Sequence, residues 1–213
     1  MDYQFHVPIV VIGLSAMVSW RSHFYQFPPA VKLFSLVWTF WFIMDAVGHV
    51  LAYSMQNHWL YNLLYIIYFP ALMYTYQKQF THGGLQRIIF WLYPVFFFFV
   101  VLNTFLIQGF HQHQTLTFVV GGSFIIFLSA AYFWYLYTSE NNEKITRDPF
   151  FWFSFGLLVC YSGTVPFLGM LNYLWNRNPD FTRFYYQYVS NLFYILLSIL
   201  IAIGFLCRKN FQK

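Results

Sequence analysis

The chain has 213 residues, of which 60% are hydrophobic, 26% aromatic and 8% charged. A soluble domain carries about 25% charged residues, so a water-covered globular surface is excluded and an integral membrane protein is indicated. The net charge of +5 gathers at the ends of apolar runs, where membrane topology accounts for it better than a nucleic-acid partner does.

A membrane-spanning helix needs about 20 apolar residues, and the charge-free runs predict seven. The first is Tyr3 to Trp20, with Pro8 in an early turn where its missing N–H costs little. No basic residue precedes this run and no small-residue cleavage site follows it, so it reads as a retained span. Arg21 to Lys32 reads as an interfacial loop, with Pro28-Pro29 as a helix start. The second span is Leu33 to Met55, and the short polar turn Gln56-Asn57-His58 makes the third, Trp59 to Tyr76, its antiparallel neighbour. Gln77 to Arg87, with Gly83-Gly84, reads as a loop. The run Ile88 to Ser139 is too long for one helix, and FHQHQ at 110–114 divides it into a fourth span, Ile88 to Gln108, and a fifth, Leu116 to Tyr137. Glu140 to Asp148 is the most polar stretch. The sixth span opens at Pro149 and runs to Trp175, Asn176 to Arg183 reads as a loop, and the seventh span is Phe184 to Cys207. The predicted fold class is all-α, a single transmembrane bundle of seven helices over residues 1–213.

Charge sets the expected orientation. With a cytoplasmic C-terminus, Arg21, Lys32, Lys78, Arg87, Lys144, Arg147, Arg208, Lys209 and Lys213 lie inside, and Arg177 and Arg183 outside. The positive-inside rule then puts the N-terminus outside, which an even number of spans would not allow. Trp20, Trp59, Trp134, Trp152 and Trp175 fall near predicted span ends, as an aromatic belt requires.

Asp45 is the one acid within a predicted span, and His49 stands one turn further along the same face. A carboxylate at hydrocarbon depth is costly, so it is expected to face the bundle interior with a partner. The pair reads either as a ligand anchor or proton relay, or as a hydrogen-bonded packing pair. Pro70, Pro94 and Pro166 lie inside spans; each frees a backbone carbonyl and is able to kink its helix or open a cavity. Around Pro166, Tyr161, Ser162, Gly163 and Thr164 group hydroxyls and a small residue. Asn103, Asn172 and Asn191 are the span amides, read as interhelical hydrogen bonds or as ligand contacts. Asp45's neighbour His49, with Asn172 and Asn191, falls toward the outer half of the second, sixth and seventh spans, where an outward-facing polar pocket is expected.

Other chemistries are excluded by absence. Cys160 and Cys207 are the only cysteines, which leaves no disulfide framework and no thiolate zinc cluster. His111 and His113 are two apart with no third ligand nearby, so no metal and no cofactor are expected. No predicted span contains a lysine, which rules out a retinal Schiff base, and the DRY and NPxxY signatures of G-protein-coupled receptors are missing. With one intramembrane acid and one intramembrane histidine, a membrane zinc hydrolase is not expected, and no Ser-His-Asp or Cys-His set shares a depth.

The stretch TSENNEKITRDPFFWFSFGLLVCYSGTVPF, followed by NLFYILLSILIAIGFLCRK, resembles heptahelical membrane proteins of bacteria linked to sensor histidine kinases. The resemblance rests on the polar loop before the sixth span, Asp148-Pro149, Phe151-Trp152, Tyr161-Ser162-Gly163 and Asn191. It implies a place in the bacterial inner membrane. In the kinase forms a cytoplasmic catalytic domain follows the last span, whereas six residues follow Cys207 here. The resemblance therefore implies a non-catalytic sensing or accessory module that acts through a separate signalling protein or larger membrane assembly. The alternative is a small proton-coupled transporter using Asp45 and His49, although no internal repeat of the kind common in transporters is seen.

Overall fold

Prolines and short polar residues set the helix starts. Pro29 opens one helix, and Pro149 opens another, capped by Asp148, whose carboxylate accepts from the Phe150 backbone N–H at 3.0 Å. Asn178 caps a third beginning at Pro179, accepting from the Phe181 N–H at 3.1 Å. The computed structural model describes residues 6–51, 57–81, 83–109, 114–138 and 145–207, apart from the side chains at 6, 172, 186 and 187.

Among the described residues all regular structure is helical. The α-helices are α1 (His6–Ser19), α2 (Arg21–Phe24), α3 (Pro29–Leu51), α4 (His58–Gln79) and α5 (Gly83–Leu102). They continue with α6 (Thr115–Thr138), α7 (Pro149–Gly169), α8 (Leu171–Arg177), α9 (Pro179–Phe184) and α10 (Asn191–Leu206). A π-helical turn, Asn103–Ile107, extends α5, and a second, Tyr185–Ser190, joins α9 to α10. Among the described residues six stretches are long and apolar enough to cross a membrane: Val7–Phe24, Pro29–Leu51, Gly83–Ile107, Thr115–Thr138, Pro149–Gly169 and Pro179–Leu206. The chain is a multi-pass helical membrane protein.

The expected third span, α4, is not among the six. It has the length, 22 residues or about 33 Å at the helical rise, but Asn62, five tyrosines and two glutamines lower its average hydropathy. Its neighbours also differ from expectation. Gly83-Gly84 lies in the first turn of α5, not in a loop, and α2 occupies part of the expected loop after Trp20. The stretch 176–183, expected as a loop, is helical on either side of Asn178 because its Asn-Pro pair starts a helix. Asp180, expected in that loop, sits in the first turn of α9. The sixth span breaks at Met170 between α7 and α8.

The principal packing pairs close a ring: α1 on α3, α3 on α4, α4 on α6, α6 on α7, α7 on α10 and α10 back on α1. α5 lies outside it, packed on α4 and α6, and presents Phe90, Trp91, Phe97 and Phe98 as exposed side chains. Aromatic rings fill the middle. Phe34 stacks on Phe153 at 4.3 Å and 9°, Phe153 meets Phe205 at 4.6 Å, and Tyr76 meets Phe150 edge-on at 5.1 Å. Close approach of the helices depends on small residues, since lipid tails supply no hydrophobic drive for helix association. A Cβ on Gly121 would stand 2.3 Å from the ring of Phe69, and one on Gly204 would stand 2.5 Å from Phe153 and 2.9 Å from the Pro149 carbonyl.

The helices run through Pro70, Pro94 and Pro166 without a break, and Pro94 and Pro166 are exposed. Beside Pro166, the Gly163 carbonyl accepts from the Tyr185 hydroxyl at 2.8 Å, which ties the second π-turn to α7.

Gly121→Ala is expected to lower the unfolding free energy by about 1–3 kcal/mol, because Phe69 is fully buried and its ring has nowhere to move. Gly84→Ala, whose Cβ meets open space, is expected to leave it unchanged or slightly raised. Unfolding in mixed micelles checks both.

Candidate functional site

One end of the ring holds a cavity of about 480 Å³. Its wall is assembled from the start of α1 (Pro8, Ile12), the second half of α3 (Trp41, Asp45) and the start of α4 (His58, Tyr61, Tyr65). Leu168, Leu171, Trp175 and Arg183 come from the broken sixth span and α9, and Ser190, Asn191 and Tyr194 from the junction of the second π-turn with α10. A volume of this size is in the range of small-molecule sites, which are mostly apolar with a few placed polar groups.

Asp45 is half-buried and accepts a hydrogen bond from the Tyr61 hydroxyl at 3.4 Å. That is long beside the usual O–H···O range of about 2.5–3.0 Å, so most of the carboxylate's accepting capacity is left for the cavity. Among the described residues no lysine or arginine pairs with Asp45. Gly48, one turn along α3, makes room for Tyr61, whose hydroxyl lies 2.7 Å from where a Cβ would be. The Gly48 carbonyl also accepts from the Asn57 side-chain amide at 2.8 Å, tying the end of α3 to the start of α4. Trp41 is buried, 4.5 Å from the Tyr68 ring and 6.2 Å from that of Tyr194, which fixes the aromatic side of the wall.

The residues expected to form a site separate into three places. Asp45 and Asn191 line the cavity. His49 is half-buried on α3 and does not line it, and Asn172 lies in α8 with its side chain outside the described residues. Tyr161 is fully buried in the core, hydrogen-bonded with Tyr68 and packed on Phe69 and Phe118. Thr164 is buried and donates to the Cys160 carbonyl at 2.9 Å, and Ser162 is exposed on the outer face. The hydroxyls around Pro166 therefore do not line this cavity. His111 and His113 lie outside the described residues.

Asn103 belongs to a separate network that closes the turn between α5 and α6. Its amide donates to Thr117 at 2.9 Å and Gln108 at 3.1 Å, while Gln114 reaches Thr104 at 2.9 Å and gives its backbone N–H to Asn62 of α4 at 3.0 Å. The Asn103 side-chain oxygen is buried without a hydrogen-bond partner among the described residues, while the other groups tie the π-turn to α4 and α6. The opposite end of the ring is equally well paired. Tyr76 bonds to Ser129 at 2.7 Å and Ser154 at 3.2 Å, and Tyr132 donates to Asp148 at 2.5 Å.

The cavity gathers residues that sequence reasoning passed over: Tyr61 and Tyr65 one turn apart on α4, with Tyr194, Trp175 and Arg183. The i, i+4 spacing on α4 was the available signal. Ser190, His58 and Asp45 share the wall, contrary to the expectation that no such trio shares a depth. Among the described residues Ser190 is hydrogen-bonded to neither of the others. No group of three or more potential metal ligands occurs among the described residues.

Asp148→Ala removes both a helix cap and the acceptor for Tyr132, and is expected to cost about 1–3 kcal/mol of stability. Asp45→Asn is expected to stay within about 0.5 kcal/mol, because an amide oxygen still accepts from Tyr61. Unfolding of the two variants under one set of conditions tests whether Asp45 is a structural acid.

No protein-family model, no curated protein and no solved structure matches this chain, so its function is read from its own geometry.

Proposed function

We propose that the chain is a seven-helix sensor or accessory subunit of a membrane, which holds a small molecule or lipid in the cavity and passes the change to a separate partner without catalysis. The observation that carries this is the cavity wall itself, where Asp45 keeps free accepting capacity among aromatic side chains. The hydroxyls of Tyr68, Tyr76 and Tyr132, by contrast, bond to side chains of neighbouring helices or their caps.

The seventh span in this reading is α4, a helix with its polar face turned inward. Trp59, Leu63, Ile67 and Tyr74 form its exposed stripe, while Asn62, Tyr65, Tyr68, Thr75 and Tyr76 are buried. A helix of that pattern suits lipid outside and hydroxyls inside, although its average hydropathy is low. Seven spans with the basic residues inside put the N-terminus and the cavity on the outer side. The resemblance of the second half to modules of sensor kinases supports a partner-directed role in the bacterial inner membrane.

The route from ligand to partner starts at the second π-turn. Such turns occur frequently at functional sites because their extra residue admits an alternative register. Ser190 and Asn191 end and follow that turn, and α10 runs from there to the far end of the bundle, packed on α7 and α1. Occupancy of the cavity would bias the register of α10.

A second reading is a proton-coupled transporter, favoured by hydroxyl pairs at several depths of α4: Tyr61 with Asp45, Tyr68 with Tyr161, Tyr76 with Ser129 and Ser154. Tyr68 and Tyr76 are about 12 Å apart along the helix, so the pairs are separate steps rather than a chain. Flux in proteoliposomes that is lost in Asp45→Asn would favour it.

Purification in mild detergent followed by native mass spectrometry is expected to show a bound small molecule and a stoichiometric protein partner. Ser190→Trp, which fills the cavity, is expected to lose the small molecule and retain the fold. A wild-type protein arriving alone and empty would overturn the proposal. With Cys160 and Cys207 replaced by Ser, Asp180→Cys is expected to react with an impermeant maleimide on intact cells, and Lys209→Cys only after permeabilisation.

A further inference from the structure

We infer that the cavity is built for a zwitterion carrying an alkylated ammonium group and, at its other end, a phosphate or carboxylate; this rests on the binding role proposed above. Three features of the wall point to that chemistry. The first is Asp45, half-buried, loosely held by Tyr61 and without a basic partner among the described residues. An acid in that position is costly to keep ionised in a membrane protein unless a cation neutralises it. The second is aromatic. Trp41, Tyr61, Tyr65 and Tyr194 line the same cavity. Aromatic walls attract weakly hydrated ammonium ions through the negative faces of their rings, and this is how quaternary ammonium groups are recognised.

The third feature is Arg183. It lines the cavity but is exposed, whereas Trp41 is buried, so the guanidinium stands toward the mouth. A simple cation entering here would meet Arg183 as a like charge. A zwitterion meets both charges favourably, its ammonium end among Asp45 and the aromatic rings and its anionic end at Arg183, where a guanidinium can hold phosphate or carboxylate in bidentate fashion. His58 is the other titratable side chain of that wall besides Asp45, Arg183 and the tyrosines. The chemistry belongs equally to a phospholipid headgroup and to a free solute.

The test uses the full chain in phosphatidylglycerol nanodiscs, which contain no ammonium, titrated calorimetrically with phosphocholine. Two comparison probes are choline, which lacks the anion, and 3,3-dimethylbutyl phosphate, which has carbon in place of the charged nitrogen. Phosphocholine is expected to bind at least ten-fold more tightly than either. Asp45→Asn is expected to weaken phosphocholine at least ten-fold and leave dimethylbutyl phosphate bound no less tightly, and Arg183→Gln to weaken phosphocholine and leave choline bound no less tightly. A merely structural fault would move all three probes together.

Nanodiscs of phosphatidylcholine separate the two sources. If a lipid headgroup is the occupant, soluble phosphocholine loses apparent affinity there and native mass spectrometry finds the lipid retained; if a free solute is the occupant, affinity is the same in both lipids. Equal binding of phosphocholine and dimethylbutyl phosphate, or an Asp45→Asn effect on both alike, overturns the zwitterion assignment and leaves the binding role standing. Binding of no probe overturns the assignment too, and an empty protein from native membranes removes the binding role with it.

Discussion

Hydrogen-bonding groups inside a bilayer must find partners within the protein, and in this chain that requirement falls on α4. A buried hydroxyl or amide without a partner costs several kcal/mol in an environment that offers no water. α4 carries Asn62, Tyr68, Tyr76 and Gln79 on its inner side, and each is met from another helix or connection: the Gln114 backbone, Tyr161, Ser129 with Ser154, and Tyr132. Those partners lie mainly on α6 and α7, which is where α4 must stand in the ring. Tyr132 in turn donates to Asp148, the residue that caps α7. The hydrogen bonds of one helix thus specify which helices surround it and fix where one of them starts.

Packing then follows from the sizes of the groups between those bonds. Rings dominate the interior, and rings admit close helix approach only where the opposing residue is small. Gly121 faces Phe69, and Gly204 faces Phe153 beside the Pro149 backbone, so a large side chain and an absent one are matched across two interfaces. The same device recurs at the cavity. Gly48 leaves the space that lets Tyr61 lie against α3 and reach Asp45, although the resulting bond is long. Interdigitation of this kind contributes stability and also fixes a single arrangement, because a misplaced helix would set ring against ring.

Span positions were readable from the sequence because apolar runs in this chain are bounded by charge or by short polar turns, and six of the seven expected helices meet length and hydropathy together. α4 fails the hydropathy measure for a reason that averaging hides: its polar residues are inward and its exposed stripe is apolar. Local signals misled at Gly83-Gly84 and at Asn176 to Arg183. Glycine pairs and Asn-Pro suggest loops, yet here the first begins a helix and the second caps one. Asp45 was legible as a site residue because an intramembrane acid is rare and expensive. Tyr61, Tyr65 and Tyr194 were not, since a chain with 26% aromatic residues offers no contrast by which to choose three of them. Asn103 was singled out for the same reason as Asn191, and only the assembled structure separates an amide spent on a turn from one that lines a cavity.

That separation also accounts for why the cavity lies where it does. At the far end of the ring, Tyr132, Gln79 and Asp148 are close enough to satisfy one another, and the core there is filled by Phe34, Phe150, Phe153 and Phe205. At the cavity end three continuous helices are interrupted or newly begun: the sixth span breaks at Met170, α9 passes into a π-turn, and α4 starts at His58. Helix ends diverge more readily than helix middles, and the irregular backbone leaves volume that side chains do not fill. Irregular backbone is tolerated at membrane depth where it borders a cavity. On the proposed reading, the accepting capacity of Asp45 is here left for a ligand, and the register of α10 is the structural element able to report that the ligand is bound.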